Sequence, residues 1–165
     1  MSATATFRDT PQLAGQLLKA LRAGTTPPSE LASILGVEPI AVKGLADHLE
    51  ASGADISRHP ILGYTLVHEP DALSAEMVFS YIQDAWRPQI ETVTSTGSTN
   101  ADAFQRGSRD ETGSLVIFAE HQSAGRGRLG RSWESAQGEG LWLSFLLRPK
   151  SPVPIWHRIT TLAAL

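Results

Sequence analysis

Two apolar, β-prone runs, residues 114–122 (Ser-Leu-Val-Ile-Phe-Ala-Glu-His-Gln) and 141–147 (Leu-Trp-Leu-Ser-Phe-Leu-Leu), flank the stretch Gly-Arg-Gly-Arg-Leu-Gly-Arg-Ser-Trp at residues 125–133. Runs of this kind read as buried strands of a sheet. The glycine- and arginine-rich stretch is therefore held at both ends by a scaffold. Its glycines permit positive φ and close approach of the backbone to a ligand. Its arginines supply planar, permanently charged forks for carboxylates and phosphates. By itself the stretch also fits a mobile surface loop, whereas nucleic-acid-binding Arg-Gly tracts are usually longer and repeated. Anchorage between two strands is how a rigid framework commonly positions a site.

The chain has 165 residues, enough for one ordinary domain or two small ones. A hydrophobic fraction of 41% with 19% charged residues fits a folded, soluble protein. The absence of cysteine excludes disulfides and thiolate metal sites, and fits a reducing compartment. No signal-peptide pattern and no apolar run of membrane-span length is present, so the chain reads as cytoplasmic and without a membrane partner. The net charge of −3 is uneven. Residues 1–90 carry 6 − 10 = −4 and residues 91–165 carry 8 − 7 = +1. The acidic first part argues against tight, nonspecific nucleic-acid binding there.

Leu13, Leu17, Leu18 and Leu21 recur at helical spacing and predict a helix over Thr10–Arg22. Gly24 stops it, and Thr25-Thr26-Pro27-Pro28 leads to a short second helix capped by Ser29, with Leu31, Ile34 and Leu35 inward. Gly36-Val37 makes a tight turn. A third helix starts near Pro39 and runs to about Ser52, with Val42, Leu45, Ala46 and Leu49 inward and Gly53 ending it. Residues 54–58 and 63–67 then form two short strands around His59-Pro60-Ile61-Leu62. Together these predict a winged helix-turn-helix domain over residues 8–68. The plainer alternative is a helical bundle with a hairpin and no DNA role. The third helix offers only Lys43 and His48 as basic contacts, beside Asp47 and Glu50, which repel phosphates. His48, His59 and His68 match no metal-ligand spacing. Residues 69–88 read as a linker and then a helix capped by Ser74, with Met77, Val78, Tyr81, Ile82 and Ala85 as its apolar stripe and Pro88 as its end.

Residues 90–94 form a short β-branched strand. Ser98 or Thr99 caps a helix over residues 100–105, which sets hydroxyls beside free N–H groups suited to polar or anionic partners. A plain helix cap explains the same residues. After the Pro-rich turn at 149–154 a helix begins and runs into Leu162-Ala163-Ala164-Leu165 with no cap. The expectation is an α+β chain whose second domain, residues 89–165, is truncated.

In order, Ser98-Thr99-Asn100, the run Ala-Glu-His-Gln-Ser-Ala-Gly-Arg-Gly-Arg-Leu-Gly-Arg-Ser-Trp ending at Trp133, and Gly-Leu-Trp-Leu-Ser-Phe ending at Phe145 resemble the biotin–protein ligases. The first half resembles the winged helix of bifunctional members, which also repress biotin synthesis genes. The resemblance covers essentially the whole chain, closely over residues 91–149 and loosely before. It implies a winged helix-turn-helix followed by part of a mixed-sheet, biotin/lipoate ligase-like catalytic domain. It also implies a two-step reaction. Biotin carboxylate attacks the α-phosphate of ATP, giving biotinyl-5′-adenylate and pyrophosphate. A lysine of a biotin carboxyl carrier protein, the acetyl-CoA carboxylase subunit, then takes the biotin as an amide. Magnesium enters with ATP, and no metal cage is visible in the chain. Operator DNA and a second copy of the chain are further partners of the family's pattern.

By that resemblance Arg126 and Arg128 are catalytic, neutralising two anions and stabilising the charge that develops between them. Ser98, Thr99 and Gln122 hydrogen-bond the biotin ureido ring, and Asn100 and Arg131 belong to the same substrate-binding set. Gly125, Gly127 and Gly130 let the backbone wrap the adenylate, and a closed loop keeps water from the mixed anhydride. Trp133 packs near the nucleotide or the biotin tail, while Trp142 and Ser144 form pocket wall. Gly97 stands where many relatives carry an acidic residue. The family's Lys-Trp-Pro-Asn-Asp segment and its catalytic lysine are not found, and Lys150, in a Pro-rich turn, is not that lysine. The chain alone is therefore expected not to complete adenylation. Two other functions compete: a biotin-responsive DNA-binding repressor, and a lipoate or octanoyl ligase of related fold. The Gly-Arg-Gly-Arg run and the winged helix favour biotin.

Overall fold

The computed structural model describes residues 10–82, 87–109, 113–127, 131–136 and 138–148, without the side chains of Arg126, Ser132 and Trp133. The chain separates into two compact units that divide between Arg87 and Pro88.

The first unit contains α1 (Thr10–Arg22), α2 (Pro28–Leu35), α3 (Pro39–Ala51), the hairpin β1 (Asp55–His59) and β2 (Gly63–His68), and α4 (Ala75–Tyr81). Leu17, Leu18, Leu31, Val42, Ala46 and Leu49 are wholly buried, so the helical leucine spacing does form the core. α2 differs from expectation at its start. Pro27 occupies the cap position with no side-chain cap, and Pro28, its φ already helical, opens the helix, so Ser29 lies inside it. Ile34 is exposed, and Ala32 takes its place beside Leu31 and Leu35. Gly36, at φ 65°, ends α2 in the left-handed conformation that glycine adopts without cost to a Cβ. The hairpin is antiparallel. Thr26 joins it through reciprocal backbone hydrogen bonds with Tyr64, both 3.0 Å. A Cβ on Gly63 would lie 2.2 Å from the Thr26 carbonyl oxygen, so only glycine fits that junction.

α4 is shorter than its expected apolar stripe. Ser74 caps it, accepting from the Met77 N–H at 3.2 Å. Ile82 is already past its end, Tyr81 is 70% exposed, and the buried residues are Glu76 and Ser80; Ala85 lies outside the described residues. The reason is Arg22. Its guanidinium grips Glu69 at 2.7 and 2.8 Å and stacks 4.0 Å from the Tyr81 ring centroid, which draws Tyr81 away from the core. α4 crosses α1 at Gly15, where a Cβ would lie 2.6 Å from both the Glu76 carbonyl oxygen and Phe79 Cβ.

The second unit contains β3 (Gln89–Thr96), α5 (Thr99–Gly107), β4 (Leu115–Arg126), β5 (Ser132–Ser135) and β6 (Trp142–Leu146). The sheet is mixed. β3 runs parallel to β4 along one edge, from Gln89 opposite Leu115 to Thr96 opposite Gln122. The other edge of β4 is divided between β6, antiparallel opposite residues 115–119, and β5, antiparallel opposite residues 122–126. Leu115 and Ile117 are buried against Ala103 of α5 and Leu146 of β6. β5 has no counterpart in the sequence reading. The stretch expected as a loop between two strands has its arms zipped into a hairpin, with Gly125 opposite Trp133 and Arg126 opposite Ser132. The helix expected after Pro154 lies outside the described residues.

Candidate functional site

Ser98 and Thr99 lie at the β3–α5 junction, and both are buried. Ser98 holds the cap position but makes no side-chain cap, and the Thr99 hydroxyl does not cap either. It turns to the sheet instead. Gln122 Oε1 of β4 accepts from the Thr99 N–H at 2.8 Å and from its hydroxyl at 3.1 Å. Thr99 Oγ1 also lies 2.9 Å from Ser144 Oγ of β6. Because the Thr99 proton is committed to Gln122, Ser144 donates to Thr99. Gln122 Nε2 donates to Ser135 Oγ of β5 at 3.4 Å. The carboxamide thus ties β4 to α5 and β5, and Thr99 extends the chain of hydrogen bonds to β6.

These residues surround a cavity of about 430 Å³ lined by Ser98, Thr99, Asn100, Gln122, Leu141, Trp142, Leu143 and Ser144. The ordered chain leaves Ser144 with acceptor lone pairs and Gln122 with a second N–H. Beside them stand the first-turn N–H groups of α5. The site therefore pairs donors with acceptors and places no charged side chain among its lining residues, which suits an uncharged amide- or urea-like group. Gln122 also borders a second hollow of about 330 Å³ with His121, Ser123, Glu134, Ser135 and Ala136.

Of the residues singled out in the sequence, Ser98, Thr99, Asn100, Gln122, Trp142 and Ser144 come together here. The glycine- and arginine-rich residues are only partly described. Gly125 is buried within β4. The Gly127 N–H donates to the Arg131 carbonyl at 2.6 Å, and Arg131 is exposed. Arg126 and Trp133 are described by backbone alone, and Arg128 and Gly130 lie outside the described residues. Neither Gly125 nor Gly127 takes a positive φ. What glycine provides at 127 is room, because a Cβ would sit 3.2 Å from the Arg131 carbonyl oxygen. Sequence reasoning missed Ser135, Leu141 and Leu143. Ser135 had no available signal because β5 itself was not legible.

In the first unit the basic groups around α3 are occupied. Lys43 pairs with Asp47 at 2.7 Å, and Arg58 of β1 reaches both Asp47 and Glu50 at 2.5 Å. Hydrogen bonds from Lys43 and Arg58 hold the Asp47 carboxyl below the usual carboxylate range. His48 Nε2 lies 2.6 Å from Glu76 Oε1, and His59 Nδ1 accepts from the backbone of Ile61 and Leu62. Among the described residues no group of three or more His, Cys, Asp or Glu is placed to hold a metal, and no helix is long and apolar enough to cross a membrane.

A model of the Biotin/lipoate A/B protein ligase family matches residues 90–162. The second unit is a biotin/lipoate A/B protein ligase family domain. The cavity and the β4–β5 hairpin both fall within this ligase-family segment. The chain is 29% identical over 136 residues, 82% of its length, to a protein of Bacillus spizizenii named bifunctional ligase/repressor BirA, and spans 42% of that protein. It is 42% identical over 82 residues, 48% of its length, to the biotin--[acetyl-CoA-carboxylase] ligase of Mycobacterium tuberculosis, and spans 30% of that protein. Among solved structures, biotin protein ligase from Leishmania major in complex with biotinyl-5-AMP matches with a TM-score of 0.38 and 26% identity, over 47% of this chain and 33% of that one.

Proposed function

We propose that this chain carries the biotin- and adenylate-binding part of an ATP-dependent biotin–protein ligase. The supporting observation is the single cavity ringed by Ser98, Thr99, Gln122 and Ser144 inside the ligase-family domain. The ureido group of biotin presents one carbonyl acceptor between two N–H donors, and the site has partners of both kinds. Gln122 and Ser144 take the ring, with Thr99 and Ser98 behind them, and Asn100 lies at the exposed rim. The glycine- and arginine-rich stretch, with Gly125, Arg126, Gly127, Arg128, Gly130, Arg131 and Trp133, takes the valeryl carboxylate and the ATP phosphates. Arg126 and Arg128 offset the repulsion between these anions as carboxylate attacks the α-phosphate and pyrophosphate leaves. A carrier-protein lysine then takes the biotinyl group and releases AMP. The described residues hold no carboxylate cluster for Mg²⁺, so no step is assigned to a protein-bound metal.

Calorimetry with biotin and with lipoate tests the ligand. Biotin binding without lipoate binding is expected, and the reverse preference would establish a lipoate ligase instead. Incubation with ATP and biotin, read by mass spectrometry for biotinyl-adenylate, tests the chemistry of the protein.

The first unit is proposed to be a winged helix with α3 in the recognition position and β1–β2 as the wing. A repressor role has the relatives named bifunctional ligase/repressor on its side. Against it stand the ion pairs of Lys43 and Arg58, which leave the α3 face without cations directed at phosphate. The cytoplasm, a biotin carboxyl carrier protein as acceptor and self-association complete the proposal.

A further inference from the structure

Ser98 holds the cap position of α5 without a side-chain cap, so the turn that delivers Ser98 and Thr99 to the cavity is fixed in another way. Asp102, in the first turn of α5, reaches back past the cap to the end of β3. Its Oδ2 accepts from the Thr96 hydroxyl at 2.5 Å, and its own N–H donates to the Ser98 carbonyl at 3.0 Å. A hydroxyl-to-carboxylate bond this short is charge-assisted and about twice as strong as a neutral one. The turn held in this way faces β4, with Thr96 opposite Gln122. The Gly97 carbonyl accepts from the Ala124 N–H at 2.8 Å, and the Thr96 carbonyl from the Ser123 hydroxyl at 3.4 Å. Ser123 and Ala124 lie in the register shift of the β4–β5 pairing and take these partners from the turn.

We propose that Asp102 is a positioning residue for the cavity and acts through Thr96. It clamps residues 96 and 97, which carry Ser98 and Thr99 on one side and hold the Ser123–Ala124 step of β4 on the other. That step directly follows Gln122. The clamp therefore sets the spacing between Thr99 and Gln122, on which the order of donors and acceptors in the cavity depends. Neither Thr96 nor Asp102 is among the lining residues, so both work on the ligand only through the groups they hold. The inference rests on the biotin reading and deepens it. A site whose polar groups are held in place before the ligand arrives binds more tightly than one that must be ordered by it.

Calorimetry with biotin and amide exchange of the ligand-free chain test this together. Asp102→Ala and Thr96→Val each remove the clamp and should bind biotin about tenfold more weakly under conditions where the chain is folded. Thr96→Ser keeps the hydroxyl and should restore wild-type affinity. The double variant should bind no more weakly than either single one, because both remove the same bond. The Ala124 amide should lose protection in Asp102→Ala. A lower urea midpoint with wild-type biotin affinity in Asp102→Ala overturns the proposal while the biotin reading stands, as does an Ala124 amide protected as in the wild type. Absence of any biotin binding by the wild-type chain overturns that reading and this inference with it.

Discussion

Gln122 Oε1 receives both the backbone N–H of Thr99, at 2.8 Å, and the Thr99 hydroxyl, at 3.1 Å. The first turn of α5 is thus satisfied by a side chain from the sheet and not by its own cap residue. Thr99→Val keeps the shape and the N–H but removes the hydroxyl. Gln122 then loses one donor and Ser144 its acceptor, in a buried setting. The change should cost about 1–3 kcal/mol of stability in urea unfolding. Biotin affinity should fall as well, and Thr99→Ser should recover most of both. A valine variant with the wild-type midpoint would show that the network contributes nothing.

The crossing of α1 and α4 depends on Gly15. The contacts that a Cβ would meet at 2.6 Å include a backbone oxygen, which cannot rotate away. Gly15→Ala gains helix propensity but forces the helices apart. A net loss of about 1–3 kcal/mol is expected. Amide exchange in α1 and α4 of the full chain reads this directly, and protection equal to wild type would contradict it.

Acid should weaken the first unit. Burial pushes the Glu76 carboxyl up, but hydrogen bonds from His48, its own backbone and Ser74 outweigh that and hold it below the usual value. Glu69 is lowered by its hydrogen bonds from Arg22. Unfolded glutamates titrate near pH 4.3, about the value for free side chains. Between that pH and the lower folded values the unfolded state binds more protons. The stabilisation is therefore complete above the unfolded pKa and is lost as pH falls through the folded one. The urea midpoint should decline below about pH 5, and Glu76→Gln should flatten the decline. Equal slopes in the two proteins would remove Glu76 from the account.

Lys43 and Arg58 are held by Asp47 and Glu50, so the wild-type chain should show little salt-sensitive affinity for duplex DNA. Replacing both carboxylates, Asp47→Asn with Glu50→Gln, frees two cations and removes two repelling charges. Fluorescence anisotropy at low salt should then show several-fold tighter binding that disappears as salt is raised. Tight, sequence-selective binding by the unmodified chain would reverse this reading.

The core of the first unit was legible because leucine spacing and glycine punctuation are local signals, as at Leu17, Leu18 and Gly36. The errors arose where tertiary partners decided. Tyr81 left its stripe for Arg22, and Pro28 took the start of α2 from Ser29. In the second unit Ser98, Thr99, Gln122 and Ser144 were all named from the sequence, and their meeting in one cavity follows from β3, β4 and β6 lying side by side. β5 was not legible. Its four residues, Ser-Trp-Glu-Ser, are too few and too polar to signal a strand, and pairing with β4 alone makes them one.

Along β4 the step from Gln122 to Gly125 spans three residues, while the facing step on β5, from Ser135 to Trp133, spans two. The one extra residue works as a phase shifter in the strand. Upstream of it β4 is locked in register with β3 and β6; downstream it belongs to the hairpin. The carboxamide at Gln122 and the arm from Gly125 onward therefore keep separate registers. Deleting a single residue at 123 or 124 would instead rotate the arm by half a pleat relative to the cavity.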